Sequence, residues 1–225
     1  MSSRPHPHPS PIVIDTGPSP RGCVIWLHGL GADGHDFEPI VPELRLGPDL
    51  PLRFIFPHAP VRPVTLNGGM AMRAWYDIIS LGGGTEDEAG VRESGQALSA
   101  MLDDPVTLGL GAAKTVFAGF SQGGAIALQG GLRQPERLAG ILALSTYLPI
   151  AATVEAERTP ANADCPILMI HGTHDPVIPV ERALASRDRL EALGYPVQWQ
   201  TYPMQHSVCA EEIALIARWL RERLG

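Results

Sequence analysis

The segment TVFAGFSQGG, from Thr115 to Gly124, decides the fold of this chain. Its β-branched and aromatic start predicts a strand, the pattern Gly119-x-Ser121-x-Gly123 predicts a sharp turn, and the helix formers that follow predict a helix. Such a turn strains the backbone of the central serine, so the residues two positions before and after it must be small. The segment therefore favours a nucleophilic hydroxyl at a helix N-terminus over a motif that arose by chance.

The composition indicates one globular domain. The chain has 225 residues, of which 44% are apolar and 18% charged, so it is long enough to bury a large core. A net charge of -7 argues against a nucleic-acid surface. No apolar run approaches the ~20 residues that span a bilayer, so we expect no integral membrane segment. We expect residues 1–11 to form a flexible tail and residues 12–225 to form a single domain.

Cysteine usage and the first residues bear on where the protein works. Residues 1–11 are rich in Pro, His and Ser and lack the apolar core of a secretory signal, so we expect no export. The three cysteines, Cys23, Cys165 and Cys209, are widely spaced and odd in number, which does not suggest a disulfide framework. A reduced, cytoplasmic setting fits these features.

Strand-like and helix-like segments alternate along the chain. Continuous apolar runs, typical of parallel strands buried on both faces, predict strands at 12–14, 21–28, 52–57, 115–120, 140–145, 166–171 and 197–202. Predicted helices include 36–44, one that begins at a capping box of Thr85 and Glu88, 181–193 and 211–224. Residues 59–84, rich in Pro and Gly, are interpreted as a long irregular loop. This alternation predicts a mostly parallel α/β sheet covered by helices on both faces.

Polar residues follow several predicted strands, at ends that meet along one edge of the sheet. Ser121, Asp175 and His206 each follow a strand, and the glycine-rich loop at 28–31 follows an earlier one. In parallel sheets, ligands collect beyond the carboxyl ends of the strands. The chain order of serine, aspartate and histidine is that of the α/β-hydrolases. The sequence therefore predicts a catalytic triad of these three residues.

Each residue type has a defined part in this chemistry. A serine hydroxyl is a poor nucleophile at neutral pH and needs an imidazole base, here His206. The imidazole needs a carboxylate, here Asp175, to set its tautomer and to stabilise its cation. The tetrahedral oxyanion needs two hydrogen-bond donors, for which we predict the backbone N–H groups of Leu30 and Gln122.

The same edge admits other interpretations. The aspartate alone could mark only a turn, and a histidine could fall in its loop by chance. His28, His171 and His174 could ligate a metal beside Asp175, but the cluster contains no cysteine, and His-Gly after a strand is explained by loop geometry. Ser145 ends a strand without flanking glycines, so we assign it a structural role. We expect no metal site.

Several long segments, unrelated to one another, form a shared pattern. They are Trp26-Leu27-His28-Gly29-Leu30-Gly31-Ala32-Asp33-Gly34, Phe56-Pro57-His58-Ala59-Pro60, Asn67-Gly68-Gly69, Ala74-Trp75-Tyr76-Asp77-Ile78, Gly119-Phe120-Ser121-Gln122-Gly123-Gly124, His171-Gly172, Asp175-Pro176-Val177 and His206-Ser207-Val208. Over nearly the whole chain, this pattern resembles that of the carboxylesterase and acyl-protein thioesterase family. The resemblance implies a compact α/β-hydrolase without a separate lid domain. It implies Ser121, Asp175 and His206 as the triad, with Leu30 and Gln122 as the oxyanion hole.

The resemblance also implies where an acyl chain binds. In the family, apolar residues after the Trp-x-Asp motif border the acyl site, and these positions match Ile78, Ile79 and Leu81. Trp75 and Val177 are similar candidates for substrate binding. Core packing is the alternative role for each of these five side chains.

One position departs from the family pattern. Relatives usually have glycine immediately before the catalytic histidine, whereas this chain has Gln205. A glutamine is strained if that residue takes a positive φ, and otherwise the loop follows a conventional path. The resemblance implies no cofactor and suggests a homodimer.

These features together predict a serine hydrolase that cleaves carboxylic esters, or thioesters, of short to medium acyl chains through an acyl-enzyme intermediate. Its substrate would be a small ester or acyl-thioester. The alternative is a deacylase of S-acylated proteins or of lysophospholipids, which would use the same triad. A binding protein on an inactive hydrolase fold is a further alternative, but all three triad members and the oxyanion loop are present.

Overall fold

The computed structural model describes residues 9–80 and 84–225. The strands are β1 (Ile12–Asp15), β2 (Gly22–Leu27), β3 (Leu52–Phe56), β4 (Val61–Val64), β5 (Met70–Arg73), β6 (Thr115–Phe120), β7 (Gly140–Leu144), β8 (Ile167–Gly172) and β9 (Val197–Tyr202). The helices are α1 (Ile40–Glu43), α2 (Glu88–Ala100), α3 (Gln122–Arg133), α4 (Val154–Glu157), α5 (Val180–Ala192) and α6 (Ala210–Leu224). Short 3₁₀ turns lie at Thr65–Asn67, Met101–Asp103, Pro105–Thr107, Ala112–Lys114, Ala151–Thr153 and Pro160–Asn162.

Within the described residues, one sheet contains seven strands in the order β1-β3-β2-β6-β7-β8-β9, and β4 and β5 form a separate ribbon. β1 runs antiparallel to β3, and the other neighbouring pairs of the large sheet are parallel. The carboxyl ends of β2, β6, β8 and β9 therefore meet along one edge. The predicted fold class, an α/β-hydrolase with a mostly parallel sheet, is confirmed.

Both faces of the sheet are buried. On one face Ile25 and Phe117 pack with apolar residues of α2, α3 and α5. On the other face Trp26 and Phe54 pack with apolar residues of α1 and α6. Successive residues of one strand thus enter opposite cores, as the two-residue period of a strand requires. This double burial explains why the strands read as continuous apolar runs.

The prediction of an irregular segment over residues 59–84 is wrong. β4 and β5 pair in antiparallel fashion there, with Val61 opposite Arg73. Proline is normally excluded from central strands, but Pro63 lies in a two-stranded ribbon with unpaired edges, where a missing N–H is tolerated. Because most ribbon side chains are not buried, no alternation of apolar and polar residues marks the strands in the sequence.

The helix predicted over 36–44 is reduced to four residues, Ile40–Glu43. Proline is tolerated only in the first turn of a helix, because it lacks an N–H and its ring clashes with the preceding turn. Pro42 therefore requires α1 to begin close to Ile40. Phe37, expected inside the helix, instead stacks on Trp26 with 5.2 Å between ring centroids.

α2 begins at Glu88, and its cap is Asp87 where Thr85 was predicted. One carboxylate oxygen of Asp87 accepts the N–H of Gly90 at 3.0 Å. The other oxygen accepts the N–H of Asp77 at 2.8 Å, which ties the helix to the segment after β5. This second bond is not local in sequence, so the pattern of residues 85–88 does not reveal it.

Among the described residues, no helix has both the length and the apolar character needed to cross a membrane. The tail predicted over residues 1–11 falls mostly outside the described part of the chain, which begins at residue 9.

α3 packs against the sheet through the backbone atoms of glycines, without intervening side chains. A Cβ atom on Gly119 would lie 2.3 Å from the carbonyl carbon of Gly123, and a Cβ atom on Gly123 would lie 2.3 Å from the carbonyl oxygen of Leu27. No side chain fits at such distances, so α3 can approach β6 and β2 this closely only because both residues are glycine. The Gly-x-Ser-x-Gly pattern thus meets a packing requirement that connects three elements.

We expect Gly119→Ala to lower the free energy of unfolding by about 3 kcal/mol or more, because the new methyl group overlaps backbone atoms that cannot move aside. Urea denaturation monitored by circular dichroism measures this change. Gly130→Ala, within α3, is the matched control. Its Cβ would approach no atom closer than 3.3 Å, so we expect a change within about 1 kcal/mol. Equal stability of the two variants would contradict the packing argument.

Candidate active site

Ser121 follows β6 directly and has a φ of 54° and a ψ of -120°, outside the regions that L-residues usually occupy. Its N–H donates to the carbonyl of Leu144 at 2.8 Å. Its own carbonyl accepts the N–H of Ala125 at 3.1 Å and the hydroxyl of Thr146 at 2.6 Å. These bonds hold the strained residue between β6, β7 and α3, in the strand–turn–helix context that the motif requires.

Asp175 and His206 are joined by a short hydrogen bond of 2.6 Å between Oδ2 and Nδ1. The other carboxylate oxygen of Asp175 accepts the N–H groups of Val177 and Ile178 at 2.8 and 2.9 Å. The carboxylate side chain is completely buried, and these bonds satisfy it. Because a carboxylate can only accept here, Nδ1 of His206 carries the proton, and Nε2 is left as an acceptor.

The loop that carries His206 rests on β8. A Cβ atom on Gly172 would lie 2.4 Å from the carbonyl oxygens of both Met204 and Gln205, so the loop backbone packs directly against that glycine. Positive φ values occur at several described non-glycine residues, but Gln205 is not one of them. The loop therefore follows a conventional path, and glutamine before the histidine causes no backbone strain.

His206 lies beside the serine turn without bonding to it. Its ring packs on Phe120, the residue before Ser121, with 4.7 Å between ring centroids, and its side chain is 17% exposed. The hydrogen bonds of the described residues include the one to Asp175 but none between Ser121 and His206. Hydrogen bonds between a nucleophile and its base are often long until a substrate binds. The structure thus brings the predicted residues to one sheet edge, with one of their two contacts formed.

Leu30 and Gln122, the predicted oxyanion-hole residues, offer backbone N–H groups at this edge. Gln122 is the first residue of α3, where an N–H group has no partner within the helix. Outside the helix and strand ladders, the described backbone hydrogen bonds include none that either N–H donates. The N-terminus of a helix also favours developing negative charge. Their role as donors stays a prediction.

Trp75 belongs to the frame behind these donors. Its backbone N–H donates to Oε1 of Gln122 at 2.8 Å, and its indole N–H donates to the carbonyl of His28 at 2.9 Å. Nε2 of Gln122 donates to the carbonyl of Tyr76 at 2.7 Å. The sequence predicted a role for the backbone of Gln122 only, because the partners of its side chain are remote along the chain. Trp75 is 6% exposed, and its contact with an acyl chain stays a prediction.

The other predicted acyl-site residues differ in exposure. Ile79 and Val177 are each 39% exposed, and Ile78 is half-buried against the core. Leu81 lies outside the described residues. Tyr147, which the sequence interpretation missed, lines a small recess of about 20 Å³ together with Ile78 and Ile79. Its position after β7, at the same edge as the predicted triad, is a signal that could have identified it.

A cavity of about 540 Å³ lies between α2, the segment after β3 and residues 9–11. Trp75, Leu27 and Met101 contribute apolar lining, and Glu93 and Arg62 contribute polar groups. None of the three predicted catalytic residues lines it. This cavity is therefore separate from the predicted catalytic residues at the sheet edge.

The described residues contain no group of three or more His, Cys, Asp or Glu that could hold a metal ion. Nε2 of His171 donates to the carbonyl of Ile178 at 2.9 Å, and Nδ1 of His28 donates to the carbonyl of Gly29 at 2.7 Å. Burial lowers the pKa of both histidines. They are neutral imidazoles bound to backbone, which gives the metal interpretation no support.

Comparison with known proteins places this geometry in context. A family model described as phospholipase/carboxylesterase matches residues 8–224. The chain is 40% identical over 225 residues to acyl-protein thioesterase 1 of Neurospora crassa, with 95% of this chain and 91% of the relative covered. It is 37% identical over 225 residues to acyl-protein thioesterase 1 of Gibberella zeae, with 96% of each chain covered.

Solved structures share the fold. Arabidopsis thaliana SOBER1 superposes with a TM-score of 0.86 at 32% identity, covering 91% of this chain and 100% of the other. Zea mays acyl-protein thioesterase 2 superposes with a TM-score of 0.83 at 28% identity, covering 95% of this chain and 99% of the other. The likeness thus extends over the whole sheet and its connections.

We expect Asp175→Asn to lower kcat by roughly 10⁴-fold, the size of the same change in chymotrypsin-type enzymes. The N–H groups of Val177 and Ile178 would hold the amide oxygen, which directs the new NH₂ group toward Nδ1 of His206. The imidazole must then carry its proton on Nε2 and cannot accept one from serine. Steady-state hydrolysis of p-nitrophenyl butyrate measures the effect, with Asp164→Asn as an exposed control. Full activity of the Asp175 variant would show that another acid serves the histidine.

Proposed function

Because the chain belongs to the phospholipase/carboxylesterase family, and is thus a hydrolase with esterase or thioesterase activity, we propose that it cleaves esters and thioesters of short to medium acyl chains through an acyl-enzyme on Ser121. The observation that carries this proposal is the 2.6 Å hydrogen bond between Asp175 and His206, at the edge where the strained serine follows β6. A buried carboxylate bonded to an imidazole serves to orient a general base. Nothing in the proposed chemistry needs a cofactor.

The first step transfers the proton of Ser121 to Nε2 of His206 while the serine oxygen attacks the acyl carbon. The imidazole becomes a cation, and the carboxylate of Asp175 stabilises it. That carboxylate is completely buried and accepts two backbone N–H groups, so it meets the cation without reorganisation.

The tetrahedral intermediate places negative charge on the former carbonyl oxygen. The N–H groups of Leu30 and Gln122 would donate to this oxygen, and the N-terminus of α3 would add a favourable dipole. The clamp between the Gln122 side chain and the backbone of residues 75 and 76 keeps the second donor in place. Donors fixed before the reaction stabilise the transition state more than the substrate.

Collapse of the intermediate releases an alcohol or a thiol, which takes the proton from His206, and leaves the acyl group on Ser121. A water molecule then attacks the acyl-enzyme with the same histidine as base, and the carboxylic acid leaves. The cycle restores the serine hydroxyl. Esters and thioesters differ only in the leaving atom, so one triad serves both.

A narrower candidate is the deacylation of S-acylated proteins. It is favoured by two relatives named acyl-protein thioesterase 1, which are 37% and 40% identical to this chain over 225 residues. The same chemistry extends to lysophospholipids, whose acyl ester is cleaved by an identical step. Hydrolysis rates for p-nitrophenyl esters, matched acyl-thioesters, an S-palmitoylated peptide and a lysophosphatidylcholine would rank these substrate classes.

We expect Ser121→Ala to abolish hydrolysis of p-nitrophenyl butyrate and labelling by a fluorophosphonate, because the variant lacks the nucleophilic oxygen. Ser145→Ala is the matched control. Ser145 is also buried, directly follows the neighbouring strand β7 and has a positive φ of 45°, but its hydroxyl has no partner in the described chain. We expect this control to retain activity and labelling. Turnover by the Ser121 variant at the wild-type rate would refute the proposed nucleophile.

Acyl-chain preference follows from the exposed apolar side chains near this edge. Each buried methylene contributes up to ~0.8 kcal/mol, about fourfold in kcat/KM. We expect kcat/KM to rise from acetate to about butyrate or octanoate and then to level off, because the recess at Ile78 and Ile79 is small, about 20 Å³. A series of p-nitrophenyl esters measures this profile.

Replacing Ile79 and Val177 together with serine should flatten the rise and leave acetate hydrolysis nearly unchanged, since the triad is untouched. Val13→Ser is the control, because Val13 is 38% exposed, close to the 39% of both acyl-site candidates, and lies on the distant strand β1. An equal loss for acetate and octanoate in the double variant would show that these side chains support the fold and do not bind the acyl chain.

A further inference from the structure

The loop that carries Leu30 is tied down near its start. Nδ1 of His28 donates to the carbonyl of Gly29 at 2.7 Å, and the N–H of Gly31 donates to the carbonyl of Arg73 at 2.9 Å. Gly31 has a φ of 79°, so the chain reverses just after Leu30. The position of the Leu30 N–H therefore depends on contacts of the residues on either side.

The far end of the loop rests on the segment after β3. The N–H of Gly34 donates to Nδ1 of His58 at 3.1 Å. A Cβ atom on Gly34 would lie 2.5 Å from the carbonyl oxygen of Phe56 and 3.1 Å from Cε1 of His58, so backbone and imidazole are in direct contact. The next residue along, Ala59, donates its N–H to Nε2 of His28 at 3.1 Å. Two imidazole nitrogens thus accept backbone N–H groups between the same two segments.

Both bonds require a neutral ring, because a protonated nitrogen cannot accept. The charged and titratable groups that act on His58 are Arg73, Asp33 and His35, whose ring centroid lies 6.0 Å away. Burial, followed by the charge of Arg73, lowers the pKa of His58, while Asp33 opposes this shift. Burial also lowers the pKa of His28. The folded protein therefore favours the neutral, accepting form of each imidazole at neutral pH.

We propose that His58 is a positioning residue for the oxyanion hole: its neutral Nδ1 holds the far end of the Leu30 loop, and a proton on that nitrogen releases it. The inference rests on the proposed function, in which Leu30 donates to the oxyanion. His58 touches neither the substrate nor the triad in this scheme. It acts through the loop, so its effect falls on transition-state binding more than on substrate binding.

This role makes catalysis depend on two neutral histidines. His206 must be neutral to accept the serine proton, and His58 must be neutral to hold the loop. Protonation of His206 stops turnover, and protonation of His58 lowers it by releasing the loop. The acid limb of a plot of log kcat against pH should therefore be steeper than a slope of one over the range in which His58 takes up its proton, and the lowered pKa of His58 places that range below the ordinary one.

Three variants test this role by kcat and KM from pH 4.5 to 8, with melting temperatures at each pH. In His58→Asn the amide oxygen stands near the former Nδ1 and accepts the Gly34 N–H without titrating. We expect kcat within about threefold of wild type near pH 7.5 and an acid limb of slope one.

His58→Ala has no acceptor for the Gly34 N–H. We expect kcat to fall about 10- to 100-fold with KM nearly unchanged, less than the 10²- to 10³-fold cost of removing an oxyanion donor outright.

His35→Asn is the matched control, because His35 is a neighbouring histidine with a side chain 63% exposed that bonds to Glu38 and not to the loop backbone through its ring. We expect it to keep the two-proton acid limb. Equal losses of kcat and of melting temperature in the Asn and Ala variants of His58 would overturn the proposal and make the residue a packing element. A slope of one in the wild-type enzyme would overturn it as well.

The role of His58 and the hydrolase activity of Ser121 are tested by separate measurements. If a fluorophosphonate labels Ser121 of the wild-type protein, and kcat is the same in the Asn and Ala variants of His58, then the hydrolase mechanism stands and the positioning role of His58 is refuted. Wild-type protein without Ser121-dependent hydrolysis of any ester or thioester would refute the proposed function itself.

Discussion

The contact of Gly123 with the end of β2 determines how the predicted active site is arranged. A Cβ atom on this residue would lie 2.3 Å from the carbonyl oxygen of Leu27 and 2.6 Å from that of His28. The first turn of α3 therefore packs directly against residues 27 and 28, where the loop of Leu30 begins. The N–H groups of Leu30 and Gln122 lie at the same sheet edge because α3 and β2 pack together without an intervening side chain. The strain at Ser121 persists because this packing and the bonds at both ends of the turn hold it.

A second rigid unit stands at the ends of β8 and β9. The carboxylate of Asp175 is enclosed, and every contact it makes is to a backbone N–H or to an imidazole. Such a group has no freedom to rotate, since turning it would leave buried donors without partners. The side chain of His206 is less enclosed, because it is 17% exposed whereas that of Asp175 is completely buried. In the proposed mechanism, any adjustment between Ser121 and His206 would therefore fall on the side of His206.

Sequence reasoning succeeded where the signal is local or topological. Continuous apolar strands predicted the sheet, and residues after strand ends predicted which side chains meet, as the bond between Asp175 and His206 illustrates. It failed where remote partners decide. The β4–β5 ribbon lacks a burial pattern, and Asp87 caps α2 because Asp77 offers a second donor. The hydrogen bond from the Gly34 N–H to His58 cannot be inferred from the neighbours of His58 in sequence, since the two residues lie 24 positions apart.

The exposed state of Ile79 and Val177 has an evolutionary consequence. Both residues are 39% exposed and lie outside the close-packed cores, whereas the predicted catalytic residues Ser121 and Asp175 are buried just beyond strand ends. Substitutions at such surface positions usually change stability by no more than about 0.5 kcal/mol. Where these side chains border the acyl site, as the proposed function has it, substitutions there can change the acyl group that binds without unfolding the protein. Under the proposed function, substrate range and mechanism would then depend on different residues, which selection can act on separately.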